Sequence, residues 1–160
     1  MSDCLLNDQI RGFLHSGVAV MMGTRDADLI PEAIRGWGPV ETADGTINVC
    51  IGLAAGQKTL ENLADNRQVT LALSSPLNYA QYQIKGRCAQ VVEANAEDVS
   101  RVESHREAFI IACESIGTAR SVIERLYLQD VGDPPVLVNV RFEPEQIFNQ
   151  TPGPTAGNSL

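Results

Sequence analysis

The chain has 160 residues, of which 44% are hydrophobic and 20% are charged, and its formal net charge is −8. This length and composition predict one soluble domain that is large enough to bury a single core. Only 12 Lys and Arg residues stand against 20 Asp and Glu, and they form no block, so neither nucleic acid nor an anionic membrane is expected as a partner.

Membrane insertion and a metal site are both disfavoured by the sequence. No apolar run is long enough for a transmembrane helix, and the N-terminus lacks the pattern of a signal peptide, so we expect a cytoplasmic protein. The four cysteines are Cys4, Cys50, Cys88 and Cys113, and no two lie close enough in sequence to form a zinc or iron–sulfur motif. We expect no metal site and free thiols, three of them buried as small hydrophobic side chains.

The first half of the chain predicts one helix and three strands. Apolar residues at helical spacing indicate a helix over residues 7–16. Residues 18–24 are apolar on both faces and predict a central strand. Residues 30–37 predict a second strand, which Pro31 places at a sheet edge or at a strand start. Asp44 and Gly45 form a hairpin signal that leads into a third strand over residues 46–51.

The second half alternates strands and helices without a strict βαβ pattern. It predicts a helix over residues 57–64, a strand over 69–73, and a long strand over 79–92 that bends at Gly86. Helices are predicted over 97–117 and 119–127, and a last strand over 136–142. The inward face of the longer helix is predicted to carry Val99, Val102, Phe109, Cys113 and Ile116.

These signals favour a mostly β (α+β) fold, an antiparallel six-stranded barrel with flanking helices, over a doubly wound parallel sheet. We place the barrel domain in residues 1–148. Residues 149–160 are rich in Pro and Gly and form an irregular C-terminal tail, which either lies across another part of the protein or is loose.

Three short segments carry a likeness to a known family. They are Pro31-Glu32-Ala33-Ile34-Arg35, Gly56-Gln57-Lys58 and Gln81-Tyr82-Gln83-Ile84-Lys85-Gly86. Together they resemble the cofactor-binding half of the pyridoxamine 5′-phosphate oxidase-related, FMN-binding split barrels. The closing segment 142–154 also resembles that of small members. The resemblance implies a split barrel that binds FMN, and a homodimer with the flavin at the subunit interface.

The resemblance also assigns parts of the flavin to residues of this chain. Arg35 would contact the phosphate through paired hydrogen bonds, and Lys58 would join the backbone amides of a helix start, with Thr59 adding a hydroxyl. Gln81 would lie beside the polar edge of the isoalloxazine ring. The other cofactor-binding positions are Gly36, Trp37, Val49, Ile51 and Gly52, with apolar or backbone contact to the ring expected from Trp37, Val49 and Ile51.

The chain departs from the true oxidases in two places. The second-strand lysine is absent between Gly38 and Val40, and so is the Arg-containing C-terminal segment, so pyridoxamine phosphate is not the expected substrate. We expect an FMN-dependent oxidoreductase that acts on an unidentified small substrate. The alternatives are a non-catalytic module that stores or senses FMN, and a barrel that binds haem or F420. His15 and His105 are expected to be structural or solvated, and no catalytic acid or base stands out.

Overall fold

The computed structural model describes residues 6–127, 132 and 136–160. Every predicted helix and strand is present within a few residues of its expected ends, except that the second and the last strand run several residues further than predicted. The elements are α1 (Asp8–Leu14), β1 (Ala19–Arg25), β2 (Pro31–Glu41), β3 (Ile47–Gly52), α2 (Gln57–Asn66), β4 (Val69–Ser74), β5 (Gln81–Glu93), α3 (Ala96–Ser115), α4 (Arg120–Tyr127) and β6 (Leu137–Asn149).

The six strands form a closed barrel in the order β1-β2-β3-β6-β5-β4. Every neighbouring pair is antiparallel, which confirms the predicted antiparallel barrel with flanking helices. Pro31 is the first residue of β2 and lies opposite Arg25 of β1. It therefore marks a strand start, where a missing N–H is tolerated, and not a sheet edge.

Alternate residues of the strands fill the barrel. Val20 and Met22 of β1 are 1% and 0% exposed, and they belong to one core with Ile10 of α1 and Leu63 of α2. The polar Asn62 of α2 is also buried, and its Nδ2 donates to Thr24 Oγ1 at 3.0 Å. Two short helices thus complete the core with their apolar faces, and the buried amide of Asn62 is hydrogen-bonded.

A second core lies outside the barrel, where α3 packs across β2. It joins Trp37 and Cys50 of the sheet to Val102 and Phe109 of α3 and to Ile123 of α4. The sheet is therefore covered by helices on this side. The prediction that Ile116 faces inward is wrong, because α3 has already ended at this residue, which is the C-cap and is 55% exposed.

The predicted bend of the long strand is found at Gly86. The register of β5 against β6 shifts between Lys85 and Gly86. A Cβ at Gly86 would overlap the ring of Phe142 in β6, so a side chain at this point is sterically excluded.

The C-terminal tail lies across the barrel. Its last residues run beside β6, where Ser159 forms an isolated bridge with Phe148. Leu160 N–H also donates to the Ile147 carbonyl at 2.9 Å. Of the two alternatives for this segment, the structure shows the ordered one.

Three of the four cysteines lie in the described part of the chain. Cys50 and Cys113 are buried and Cys88 is exposed, and all three are free. Cys88 adopts a positive φ of 53° at the irregular part of β5, which turns its side chain outward. Cys4 lies outside the described residues. None of the helices in the described part of the chain is long and apolar enough to cross a membrane.

Candidate functional site

Five side chains form a row across the outer face of the barrel, which we call the open row. Arg35 lies opposite Met21, Met21 opposite Ala72, Ala72 opposite Gln83, and Gln83 opposite Phe148. Met21 and Ala72 are exposed, and the other three are half-buried. Four strand spacings span about 19 Å. The row therefore has a cation at one end, a flat apolar middle, and an amide and an aromatic ring at the other end.

The cationic end is held by the sheet and by α3. The Arg35 guanidinium lies 5.7 Å from the centre of the Trp37 ring, a cation–π distance. Trp37 is 1% exposed and packs edge-on against His105 and Phe109 of α3. The positive charge of Arg35 also opposes the rise in the pKa of Cys113 that burial causes. Trp37 therefore supports the arginine and has no free face for a ligand ring.

The turn after β3 leads into α2. Trp37 of β2 pairs with Cys50 of β3, two residues before β3 ends at Gly52. The N–H of Gly56 donates to the Gly52 carbonyl at 2.9 Å, so the turn is tight. Gly52 has no side chain to obstruct the outer face. Arg35 lies on β2, and Lys58 and Thr59 lie in the first turn of α2, and these two elements contact each other.

The first turn of α2 has the properties of an anion site. Its N-cap, Gly56, gives no side-chain hydrogen bond, and the first turn has no acidic residue. Lys58 is half-exposed, with Nζ 3.8 Å from Asp26 and 3.6 Å from Glu61. Thr59 is 1% exposed, and its Oγ1 has no hydrogen-bond partner within the described chain. An uncapped N-terminus with a lysine and an unsatisfied buried hydroxyl fits a phosphate.

Three of the predicted cofactor positions face the interior of the barrel. Val49 and Ile51 are both 0% exposed and belong to its core. A Cβ at Gly36 would lie 2.8 Å from Val49 Cγ2 and 3.0 Å from Val20 Cγ1, so Gly36 is needed for packing. These positions offer a ligand on the outer face only their main-chain atoms.

Gln81 lies at the other end of the outer face. It is the first residue of β5 and is half-buried, three strand spacings, or about 14 Å, from β2. Its N–H donates to Thr151 Oγ1 at 2.9 Å, and its carbonyl accepts from the N–H of Gln150 at 2.8 Å. Gln83 follows two residues later and faces the same way, so two amide side chains define this amide end.

A groove of about 570 Å³ runs beside the open row, a volume typical of small-molecule sites. Its lining carries two cations, Arg25 and Lys85, and two carboxylates, Glu32 and Glu145. Arg25 Nη2 donates to Gln68 Oε1 at 3.2 Å, and Lys85 Nζ lies 5.0 Å from the centre of the Phe148 ring. The next row of outward-facing residues crosses four strands in the order Ala33, Gly23, Thr70 and Lys85. Because its first three members are small, they leave space for the groove.

Sequence reasoning missed Met21, Ala72, Gln83 and Phe148. The signal for Met21 was present, since a strand that is apolar on both faces leaves one face to be covered by something outside the barrel. Gln83 was also within reach, because residues two apart in a strand share a face. Phe148 lay beyond the predicted end of β6.

Comparisons with solved structures find the same fold in several proteins. HupZ of Group A Streptococcus has a TM-score of 0.55 and 20% identity over 95% of this chain and 100% of its own. An F420 reductase has a TM-score of 0.56 and 11% identity over 89% and 98%. A Clostridium acetobutylicum protein related to general stress protein 26, of the pyridoxinephosphate oxidase family, has a TM-score of 0.50 and 14% identity over 88% and 84%.

No protein-family model and no curated protein matches the sequence. At these identities the likeness establishes the fold. The chain has the split-barrel fold of the pyridoxamine 5′-phosphate oxidase-like proteins, as the sequence resemblance predicted.

Proposed function

We propose that the chain binds FMN along the open row, with the phosphate at the start of α2 and the isoalloxazine ring toward the amide end. The observation that carries the proposal is the uncapped first turn of α2, in which the buried Thr59 hydroxyl has no partner within the described chain. Burying an unsatisfied hydroxyl is costly. A phosphate oxygen at this position would accept its hydrogen bond.

The residues at both ends suit the two ends of FMN. Arg35 and Lys58 supply positive charge for the phosphate. Gln81 and Gln83 supply amide donors and acceptors for the polar edge of the ring, and the exposed Met21 gives it an apolar surface.

FMN, when bound, supplies one- and two-electron transfer, so we propose an oxidoreductase with a small-molecule substrate. The groove beside the open row is the place for that substrate. Haem is not supported, because the open row has no His or Cys that would serve as an axial ligand.

We also propose that the protein works as a homodimer with the flavin between subunits. The open row lies on a sheet face and not in a cavity, so a ring on it would be covered from one side only. Ligand sites usually bury most of their ligand. A second copy placed over Met21 and Ala72 would cover the other side and would bury the apolar middle of the row.

Titration with FMN and with riboflavin, which lacks the phosphate, tests the site. The variants Arg35→Ala and Lys58→Ala are each expected to weaken FMN binding by about tenfold and to leave riboflavin binding almost unchanged. Arg87→Ala is the matched control, because Arg87 is an exposed cation paired with Glu143 and Glu145 and is not part of the open row. Equal losses for both ligands, or no loss, would contradict the phosphate assignment.

Stopped-flow mixing of the FMN-loaded protein with NADH or NADPH separates an enzyme from a carrier. An oxidoreductase is expected to bleach the flavin absorbance within seconds. A flavin that stays oxidised with both donors would instead favour the storage or sensing module.

A further inference from the structure

The C-terminal tail is bonded to the residue that defines the amide end. Gln81 N–H donates to Thr151 Oγ1 at 2.9 Å. The Gln81 carbonyl accepts from Thr151 Oγ1 at 3.3 Å and from Gln150 N–H at 2.8 Å. β6 ends opposite Tyr82, one residue short of Gln81. The tail therefore takes the place of the neighbouring strand for this one residue.

The tail also reaches the second glutamine. Gln150 Nε2 donates to Gln83 Oε1 at 3.4 Å. An amide whose oxygen accepts a hydrogen bond has a defined orientation, with its NH₂ group directed elsewhere. Both glutamines of the amide end are thus contacted by two consecutive tail residues.

The tail holds its shape through polar contacts and not through burial. Thr151 N–H donates to Asn149 Oδ1 at 2.9 Å, and Asn149 Nδ2 donates to Thr155 Oγ1 at 2.9 Å. The Asn149 N–H donates in turn to the Asn158 carbonyl at 2.9 Å. The terminal apolar residue, Leu160, is 56% exposed. Ordering a Pro- and Gly-rich segment costs conformational entropy, and apolar burial does little to offset it here.

We infer that Thr151 is a positioning residue for the ring end of the ligand site, because it fixes Gln81 while the adjacent Gln150 orients Gln83. The inference rests on the proposed function and adds a role for the tail in recognising the ring. A residue that acts on the ring affects FMN and riboflavin alike, whereas a residue that acts on the phosphate affects FMN alone. Comparing the affinities for FMN and riboflavin therefore distinguishes the role of the tail from the role of Arg35 and Lys58.

The test measures FMN and riboflavin affinity for four variants. Thr151→Val keeps the shape of the side chain but removes its hydroxyl. It is expected to weaken the binding of both ligands by the same factor, about five- to tenfold. Thr151→Ser restores the hydroxyl and should restore affinity. Gln150→Ala keeps the main-chain bonds and loses only the contact to Gln83, so a smaller loss, about twofold, is expected for both ligands.

Thr155→Val is the matched control, since it removes a hydroxyl of the same tail that contacts Asn149 instead of Gln81. It should lower both affinities much less than Thr151→Val does, because Thr155 reaches Gln81 only indirectly, through Asn149 and Thr151. Amide hydrogen exchange of Gln81 in the ligand-free protein provides a second readout, and we expect clearly faster exchange in Thr151→Val than in Thr155→Val.

The possible results are distinguishable. If the unmodified protein binds both ligands and Thr151→Val binds them equally well, the inference is overturned while the proposed function stands. The same holds if Thr155→Val loses as much affinity as Thr151→Val, because the tail would then act only through general stability. If the unmodified protein binds neither ligand, the proposed function fails and the inference fails with it.

Discussion

The two histidines of the chain lie in opposite environments. His15 is exposed, whereas His105 is 7% exposed between α3 and β2. His105 Nδ1 accepts a hydrogen bond from the Gly38 N–H at 3.1 Å, and its ring packs against Trp37. Burial lowers the pKa of His105 to about 4, and the Val18 carbonyl opposes this shift. His105 is therefore a neutral structural side chain at physiological pH, and it lies on the packed side of α3.

This environment predicts a stability loss in mild acid. The unfolded chain takes up a proton on this histidine near its ordinary pKa of 6.5, but the folded chain does so only near pH 4. The folded state therefore loses stability as pH falls through this window, by up to about 3 kcal/mol. Urea unfolding at about pH 7 and about pH 4.5 measures the loss.

His105→Asn is expected to show a weaker pH dependence than the unmodified protein. Its amide oxygen still accepts from Gly38 N–H and does not titrate in this range. His15→Asn is the matched control and should keep the full dependence. If the free energy of unfolding of His105→Asn depends on pH as strongly as that of the unmodified protein, His105 is not the cause of the stability loss in acid.

At the scale of single residues, the sequence predicted local positions better than long-range contacts. Lys58 and Thr59 were placed correctly at a helix start, because local patterns determine helix ends. The role of Trp37 was not predictable, since it depends on Arg35 and Arg106, which lie 5.7 and 5.9 Å from its ring centre. Arg106 is on α3, some seventy residues later in the chain, and no local pattern reveals such a contact.

At the scale of elements, β5 shows how one glycine shapes the barrel. The strand continues past β4, and its register against β6 shifts at Gly86. The ring of Phe142, which is 1% exposed, occupies the space where a Gly86 side chain would be. The bend and the packing of the ring therefore depend on the same residue.

Gly86→Ala is expected to destabilise the protein by about 2 kcal/mol or more, because Phe142 must move in a packed core. Urea unfolding measures the effect. Gly12→Ala is the matched control, since nothing lies within 4 Å of its added Cβ in α1. A gain of about 0.5–1 kcal/mol is expected there. Equal effects of the two substitutions would contradict the steric explanation.

Elements were predicted well where periodicity was strong and poorly at their ends. The last strand was expected to stop at residue 142 but continues to Asn149. Residues 143–149 include a proline and several polar residues, so they lack the apolar alternation that marks a strand. They are strand because β5 supplies pairing partners as far as Asn149. Long-range pairing overrides local preference here.

At the scale of the whole molecule, the barrel is covered by helices on one side and open on the other. α3 covers Trp37 and Cys50, whereas Met21 on the open side is 36% exposed. An exposed apolar strip on a flat sheet face is typical of an interaction surface. Composition and periodicity predicted the barrel, but the side that α3 covers depends on packing between distant segments.

A charge placed in the middle of the open row tests the proposed dimer. Ala72→Glu is expected to give a monomer in light scattering, because a carboxylate would be buried without a partner at the interface. Its flavin affinity should fall together with dimerisation. Ala43→Glu, at the exposed hairpin between β2 and β3, is the matched control and should stay dimeric. A monomeric unmodified protein that binds flavin tightly would contradict the dimer proposal.

The central claim is that the flavin lies on the outer face of the sheet and not inside the barrel. Two adjacent methionines test it directly, since Met21 points outward at 36% exposure and Met22 points inward at 0%. In an NMR titration of methyl-labelled methionine with FMN, ring currents are expected to shift the Met21 methyl strongly and to leave the Met22 methyl almost unchanged. A larger shift at Met22, or no shift at either residue when FMN is bound, would contradict the account.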